Sequence, residues 1–261
     1  NSSEGYLELS FELNGYFIEE DLAGNSQFTF PGSVPILQNG SPELPRMARS
    51  IIIPDFSNME LKILDSKYIE ISVENILPSK GNLTRDTDPS SIPYVYGEVY
   101  DLDAWYPKRI SFLREPYVLR SFRGQTVVFQ PFQYNPKSKI LRVYTSIKIE
   151  VKENGISQNN PLTARPPGPI SREFEQMYKE HFINYPNEIR YDVLTEHGSM
   201  LIISHGSFID ELQPFIEWKN YKGVPTEIVD IADIGDVDAM AQFISTKYYE
   251  EGIAYVLLVG D

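Results

Sequence analysis

The chain has 261 residues, no cysteine, 41% hydrophobic and 23% charged residues, and a formal net charge of -14. The acidity argues against a nucleic-acid partner, because phosphate binding needs clustered Lys and Arg. The lack of cysteine excludes a disulfide framework, a thiolate zinc site and a cysteine nucleophile within these residues. No apolar run approaches the roughly 20 residues of a membrane helix, and the composition is that of a globular protein.

The N-terminal residues, NSSEGYLELSFELNGY, pass directly into an alternating pattern, without the basic and apolar regions of an export signal. We therefore expect that any such signal has been removed or is not included. The 17 Tyr, 14 Phe and 19 Pro favour a β-rich protein outside the cytoplasm. The expected location is secreted or cell-surface.

The first half of the chain, from residue 6 to about 152, alternates with period two, which is typical of antiparallel strands. Turn clusters such as NGSP at 39–42 and NPKS at 135–138 separate the short runs. We therefore expect an all-β, sandwich-like domain over residues 1–152. The strongest run, ILRVYTSIKIEV, places six residues on one face: Leu141, Val143, Thr145, Ile147, Ile149 and Val151.

A polar segment rich in Pro and Gly, residues 153–170, has neither helical nor strand periodicity and indicates a linker. After it, Phe174, Met177, Tyr178 and Phe182 stand at helical spacing and predict a short amphipathic helix. The sequence does not decide which surface that helix packs on. We treat residues 153–199 as a linker with a short helix.

The last part of the chain predicts the order β-α-β-α-β, and right-handed crossovers make its strands parallel. Three strands and two helices cannot cover both faces of a sheet, so residues 200–261 indicate part of a larger α/β domain. The predicted strands are 200–204, 226–231 and 254–259, and the predicted helices fall within 208–222 and 236–251.

The helix ends carry local signals. Asp236 is a predicted N-cap and Gly252 a predicted C-cap. Pro214 either lies in the first turn of a helix that begins near Gln213 or kinks a longer helix at a cost of about 3 kcal/mol, and the first alternative is favoured.

Candidate catalytic residues are few. His205 follows a strand, where a general base could stand, but no cysteine completes a nucleophile pair, and Ser204 and Ser207 lack the flanking glycines of a nucleophile elbow. We interpret His205 as a polar residue at a strand end. His181 and His197 lack metal-ligand spacing, so solvated or hydrogen-bonding roles are expected.

The acidic run DIADIGDVD, 230–238, lacks the glycine and terminal glutamate of a calcium-binding EF-hand loop, which favours helix capping. No glycine-rich phosphate-binding motif occurs. Asp261 closes a buried apolar strand, where an acid can be a catalytic group, a metal ligand or the cap of a following helix. The last two roles are favoured over the first.

Two segments, MLIISHGSFIDELQPFIEWKNYKGVPTEIVDIADIG and IAYVLLVGD, resemble the start of the catalytic domain of gingipain-like cysteine peptidases, family C25 of clan CD. The segments at 40–55 and 118–151 resemble the pro-domain that precedes these enzymes. The resemblance implies a caspase-like α/β/α fold, with a Cys thiolate and a His base on later strands. It therefore implies no catalytic residue in this chain, and His205 only looks like the base.

The resemblance also implies no cofactor for catalysis but a structural calcium ion, for which Asp261 is a candidate ligand. One carboxylate cannot hold calcium alone, since the ion takes six to eight oxygens.

Pro-domains of this family inhibit the enzyme, assist its folding and are cut off at the junction. The resemblance places that junction at Arg190-Tyr191, with Arg190 as the inhibitory and scissile residue. Arg172, Lys179, a non-basic residue and an ordinary exposed linker arginine remain alternatives. Arg165 is disfavoured because a proline follows it.

We therefore interpret the chain as the pro-domain and N-terminal fragment of a secreted cysteine endopeptidase zymogen, inactive by itself. The expected partners are the remainder of the catalytic domain, in the same polypeptide or as a separate chain, and protein substrates. Two alternatives stay open. One is a C25-type sorting protease of a secretion system, and the other is a non-catalytic surface module for adhesion or glycan binding.

Overall fold

The computed structural model describes residues 2–3, 5–186 and 196–260. The chain divides into two compact units. Unit 1 comprises Asn1–Tyr117 and Gly124–Asn159, and unit 2 comprises Val118–Arg123 and Asn160–Asp261. Six residues near the middle of the chain, 118–123, therefore belong to the second unit, although the residues on either side of them belong to the first.

The described residues up to 159 form β-strands and two short 3-10 helices. The strands are β1 Ser2–Ser3, β2 Tyr6–Glu12, β3 Phe17–Glu20, β4 Asn25–Thr29, β5 Val34–Pro35, β6 Pro45–Ile52, β7 Ser57–Ser72, β8 Asn75–Ile76, β9 Ser111–Leu113, β10 Tyr117–Leu119, β11 Phe122–Phe129, β12 Phe132–Asn135 and β13 Ile140–Ile156. The 3-10 helices are Pro89–Ser91 and Glu98–Asp101.

The long strand β13 organises the first sheet. One edge of β13 pairs with β7 along most of its length, and the other pairs with β12 and then with β2, all antiparallel. A second sheet has the order β10-β11-β6-β5, with β9 also paired to β11. A small third sheet has the order β3-β4-β8.

The two larger sheets share one core. Phe11 of β2 stacks on Phe129 of β11 with ring centroids 5.3 Å apart, so the sheets pack face to face. The alternation predicted for β13 is observed, because Leu141, Val143, Ile147, Ile149 and Val151 are all fully buried. An all-β sandwich-like unit therefore fills the first part of the chain.

Two details of β13 differ from the prediction. Thr145 is only half-buried, because a register shift between Tyr144 and Ser146 leaves it without a paired residue on β7; its hydroxyl donates a hydrogen bond to the Lys67 carbonyl oxygen at 3.3 Å. The strand also continues to Ile156 instead of ending at Val151. Every residue after Val151 in this strand is exposed, so this part has no buried face and no alternation of apolar and polar residues to signal it.

Unit 2 contains a helix followed by an α/β segment. Its elements are α1 Arg172–His181, β14 Met200–Ser204, α2 Ile209–Tyr221, β15 Thr226–Asp230, α3 Ile231–Ile234, α4 Val237–Glu251 and β16 Tyr255–Val259. A 3-10 turn, Gly206–Phe208, precedes α2. Strand β14 lies in the middle of the sheet and is parallel to both β15 and β16.

The structure confirms the mixed fold class and corrects two local predictions. Pro214 lies inside α2, in its second turn, because the helix begins at Ile209 rather than near Gln213. Two helices, α3 and α4, separate the last two strands where one was predicted. Asp230 caps the extra one by accepting a hydrogen bond from Ala232 N–H at 3.0 Å.

The predicted ends of α4 are confirmed. Asp236 Oδ1 accepts a hydrogen bond from Ala239 N–H at 2.9 Å, and Gly252 adopts the left-handed conformation with φ 71°. None of the helices in the described ranges is long and apolar enough to cross a membrane.

The apolar stripe of α1 packs on a hairpin tip. We call residues Val118–Arg123 the hairpin tip, since they join the hydrogen-bonded neighbours β10 and β11. The Phe122 ring lies edge-on to the rings of Tyr178 and Phe182, at centroid distances of 4.9 and 6.2 Å. Tyr178 of α1 and Phe182, just beyond its end, are fully buried, whereas Met177 of the predicted stripe is exposed. The hairpin tip is therefore the surface on which this helix packs, which the sequence did not identify.

Candidate functional site

The carboxyl ends of the three parallel strands surround a cavity of about 700 Å³. This is where open α/β sheets usually place ligands and catalytic groups. The cavity wall is mostly apolar, with a few polar groups. Its lining includes Ile203, Ile231, Met240 and Leu258 together with His205 and Asp236.

His205 makes local contacts at the rim of this cavity. Its Nδ1 accepts a hydrogen bond from Ser207 N–H at 3.2 Å and lies 2.8 Å from Ser207 Oγ. Ser204 Oγ donates to the His205 carbonyl oxygen at 3.1 Å and does not contact the ring. His205 therefore caps the short turn Gly206–Phe208, which agrees with the interpretation as a polar residue at a strand end.

The acidic run 230–238 caps helices, as predicted. Asp230 caps α3 and Asp236 caps α4, so two of its four carboxylates are engaged with backbone N–H groups. Among the described residues, no group of three His, Asp or Glu side chains could hold a metal ion. The proposed junction residues Arg190 and Tyr191, and the proposed metal ligand Asp261, lie outside the described residues.

A polar cluster links the start of α1 to the residues before β14. The Glu173 carboxylate contacts His197 Nδ1 and accepts a hydrogen bond from Gly198 N–H at 3.3 Å. Partial burial raises the pKa of Glu173, but the hydrogen bonds from His197 and from backbone N–H groups outweigh it, so the net pKa is lowered. Burial and the neighbouring Glu173 raise the pKa of Tyr255. His197 thus has the hydrogen-bonding role expected from the sequence.

A second cluster centres on Arg120 in the hairpin tip. Its guanidinium donates to the carbonyl oxygens of Gly252 and Ile253 at 2.8 and 2.9 Å. The same group lies 4.4 Å from the Phe174 ring centroid and 4.9 Å from that of Tyr248. Arg120 therefore satisfies carbonyl groups just beyond the C-terminus of α4, where a helix favours positive charge.

Arg120 was not among the residues predicted from the sequence. The one available signal was its position between two short strands, in YVLRSFRG, where a tight turn usually has Gly, Asn or Asp. Nothing in the sequence indicated that its side chain would meet residues about 130 positions later.

Two family models match consecutive parts of the chain. Propeptide_C25 matches residues 11–189, and Peptidase family C25 matches residues 194–261. The first of these alone spans more than half of the chain.

Similar proteins include two gingipains of Porphyromonas gingivalis. Gingipain R2 is 38% identical over 240 residues, which are 89% of this chain and 32% of that protein. Lys-gingipain is 25% identical over an alignment that covers all of this chain and 16% of that protein. The chain thus spans about a third or less of the length of these relatives.

Solved structures agree with this relationship. A structure described as a complex of Porphyromonas gingivalis RgpB pro- and mature domains matches 71% of this chain and 96% of that chain, with a TM-score of 0.62 and 34% identity. A structure concerned with the zymogenic latency of gingipain K shares the fold, with a TM-score of 0.51, 22% identity and 59% of this chain covered, or 90% of that chain. The chain therefore belongs to peptidase family C25, as the propeptide of this family followed by the first part of its peptidase domain.

Proposed function

We propose that the chain is part of an exported cysteine endopeptidase zymogen, in which the propeptide keeps the enzyme latent and assists its folding. The supporting observation is the composition of unit 2. Residues Val118–Arg123 and 160–186, from the propeptide match, form one compact unit with residues 196–260, from the peptidase match. A propeptide that shares a folded unit with the peptidase can act on both its folding and its activity.

The remainder of the catalytic domain is the proposed partner of this chain, and proteins are the proposed substrates. The three-stranded sheet β15-β14-β16 is then one part of a caspase-like α/β/α domain. The nucleophilic Cys and the His base belong to the residues that complete this domain, since the chain contains no cysteine.

The whole protein tests the proposed activity. After removal of the propeptide it should hydrolyse peptides that contain Arg or Lys, and a thiol-alkylating reagent should abolish that hydrolysis. Hydrolysis that is unaffected by alkylation, or no hydrolysis at all, would contradict the proposal and favour a surface-binding module.

Arg190 is the proposed junction residue, with cleavage between Arg190 and Tyr191. The two family matches leave only residues 190–193 between them, and Arg190 is the basic residue in that interval. In an extended segment, a guanidinium can occupy an acidic specificity pocket and block it until the chain is cut.

Substitution in the whole zymogen separates the roles of Arg190. Arg190→Ala should slow junction cleavage and raise the activity of the uncut zymogen, whereas Arg190→Lys should be cut at a rate set by the preference of the enzyme for Lys. Arg172→Ala and Lys179→Ala are matched controls, because both lie in α1 of the same linker region. An unchanged N-terminus of the mature enzyme in Arg190→Ala would refute the assignment.

A structural calcium ion with Asp261 as one ligand is a further proposal. The described residues do not by themselves fit such a site, since they provide no group of three acidic or histidine ligands. The other oxygens would come from the rest of the domain. In the whole protein, calcium should raise the thermal midpoint, and Asp261→Asn should reduce that rise.

A further inference from the structure

We propose that the hairpin tip, Val118–Arg123, anchors the propeptide to the peptidase domain after the junction is cut, and that Arg120 is the residue that holds it there. The inference rests on the proposed function, because it assumes that a propeptide and a peptidase are separated by cleavage. It adds a retention site that is distinct from the junction residues.

The contacts of Arg120 connect the two family matches. Arg120 lies in the propeptide match, and the carbonyl groups of Gly252 and Ile253 lie in the peptidase match. These carbonyl groups follow the C-terminal end of α4, where the helix dipole is negative and favours a cation. The guanidinium donates two hydrogen bonds from its planar group, so its orientation is fixed by geometry in addition to the favourable charge interaction.

Two aromatic rings complete the site from both sides of the junction. Phe174 comes from α1 of the propeptide match and Tyr248 from α4 of the peptidase match, and the Arg120 guanidinium lies within 5 Å of both ring centroids. Arg120 itself is half-buried. Partial removal from water strengthens both the ring contacts and the hydrogen bonds.

The backbone of Arg120 gives an independent argument. Its φ is +49°, in the left-handed region that residues with a Cβ rarely adopt. It occupies the first position of a two-residue connection between β10 and β11, where Gly, Asn or Asp would be less strained. An arginine at this position is unfavourable for the turn, and the contacts of its side chain account for its presence.

The rest of the hairpin tip is held by the propeptide itself. Ser121 N–H donates to Tyr178 Oη at 3.2 Å, and Arg165 Nε donates to the Ser121 carbonyl oxygen at 2.9 Å. Phe122 packs on the buried rings of Tyr178 and Phe182. These contacts present Arg120 in a fixed position, and none of them passes through the junction.

The test uses the full chain with the recognition sequence of a site-specific protease in place of residues 187–193. After the cut, size-exclusion chromatography and native mass spectrometry measure how fast the two pieces separate. Arg120→Asn is the main variant, because asparagine tolerates the left-handed backbone but cannot reach α4. Arg120→Lys keeps the positive charge but loses the planar guanidinium that donates both hydrogen bonds. Arg85→Asn, at an exposed position of unit 1, is the matched control.

We expect the cut wild-type chain and Arg85→Asn to stay assembled, and Arg120→Asn to dissociate about ten- to a hundredfold faster, with Arg120→Lys between them. In the uncut chain, Arg120→Asn should also speed amide hydrogen exchange at the end of α4, near Gly252. Equal dissociation rates for Arg120→Asn and wild type would overturn the anchor. Failure of the peptidase proposal would appear separately, as a lack of thiol-dependent hydrolysis.

Discussion

At the scale of single residues, Glu173 connects electrostatics to stability. Its carboxylate accepts hydrogen bonds from His197 and from Gly198 N–H, and the pKa of Glu173 is lowered as a result. A carboxyl group with a lowered pKa in the folded state stabilises that state when ionised. Its contribution is complete above the usual value of 4.5 and is lost as the pH falls below it.

Glu173→Gln should therefore flatten the acid side of the stability profile. At about pH 6 the variant should be less stable than wild type by about 1 kcal/mol, and at about pH 3 the difference should vanish. Urea unfolding of the chain across this pH range measures it. Glu217→Gln, at an exposed position of α2, is the control. A Glu173→Gln profile parallel to that of wild type would contradict the assignment.

At the scale of elements, the end of α4 depends on a glycine for two reasons. Gly252 has φ 71°, and a Cβ at this position would lie 2.6 Å from the Pro167 carbonyl oxygen. Such a contact is far shorter than van der Waals distance, and the neighbouring atom is backbone, which cannot rotate away. The helix end and the linker segment at Pro167 can therefore meet only if residue 252 lacks a side chain.

Gly252→Ala should cost the left-handed backbone term of about 1–2 kcal/mol and, in addition, the clash with Pro167. Gly168→Ala is the matched control, because Gly168 has φ +83° in the same unit and no atom within 4 Å of an added Cβ. Thermal unfolding measures the loss of stability in each variant, and the difference between the two losses gives the cost of the clash with Pro167. Equal losses would show that the linker moves aside without cost.

The elements also show what the sequence could and could not predict. The strand β13 and both ends of α4 followed from local signals, namely alternation, an N-cap Asp and a C-cap Gly. Helix α3 was not predicted, because its local signal is a single capping residue, Asp230, within an acidic run. Helix α2 lies within the predicted range 208–222, but the favoured position of Pro214 in a first turn was wrong. Arg120 was missed because its partners lie far away in the sequence.

At the scale of the whole molecule, the net charge of -14 is a source of self-repulsion. The ion pairs that oppose it are largely exposed, as in the pairs of Lys137 with Asp101 and of Lys139 with Glu74. Exposed pairs are each worth about 0–1 kcal/mol. Added salt should therefore weaken the repulsion among acidic residues by more than it weakens the attraction within the ion pairs, and the net effect should be stabilising.

Raising sodium chloride to about 0.5 M should raise the thermal midpoint of the chain by about 2–4 °C. Glu20→Lys tests whether self-repulsion is the cause of the salt effect. This exposed residue lies beside Glu19 and Asp21, and replacing a negative by a positive charge changes the net charge from -14 to -12. The variant should melt higher than wild type at low salt and gain less from added salt. A midpoint that falls with salt would mean that specific ion pairs dominate.

The strand β16 has a consequence for handling the protein. Its hydrogen bonds run to β14 on one edge, no other strand of the described ranges pairs with it, and Val256 and Leu258 are 42% and 55% exposed. Open strand edges with apolar side chains recruit strands from other molecules. A preparation of these 261 residues should therefore aggregate when concentrated, and light scattering that rises with concentration would measure it.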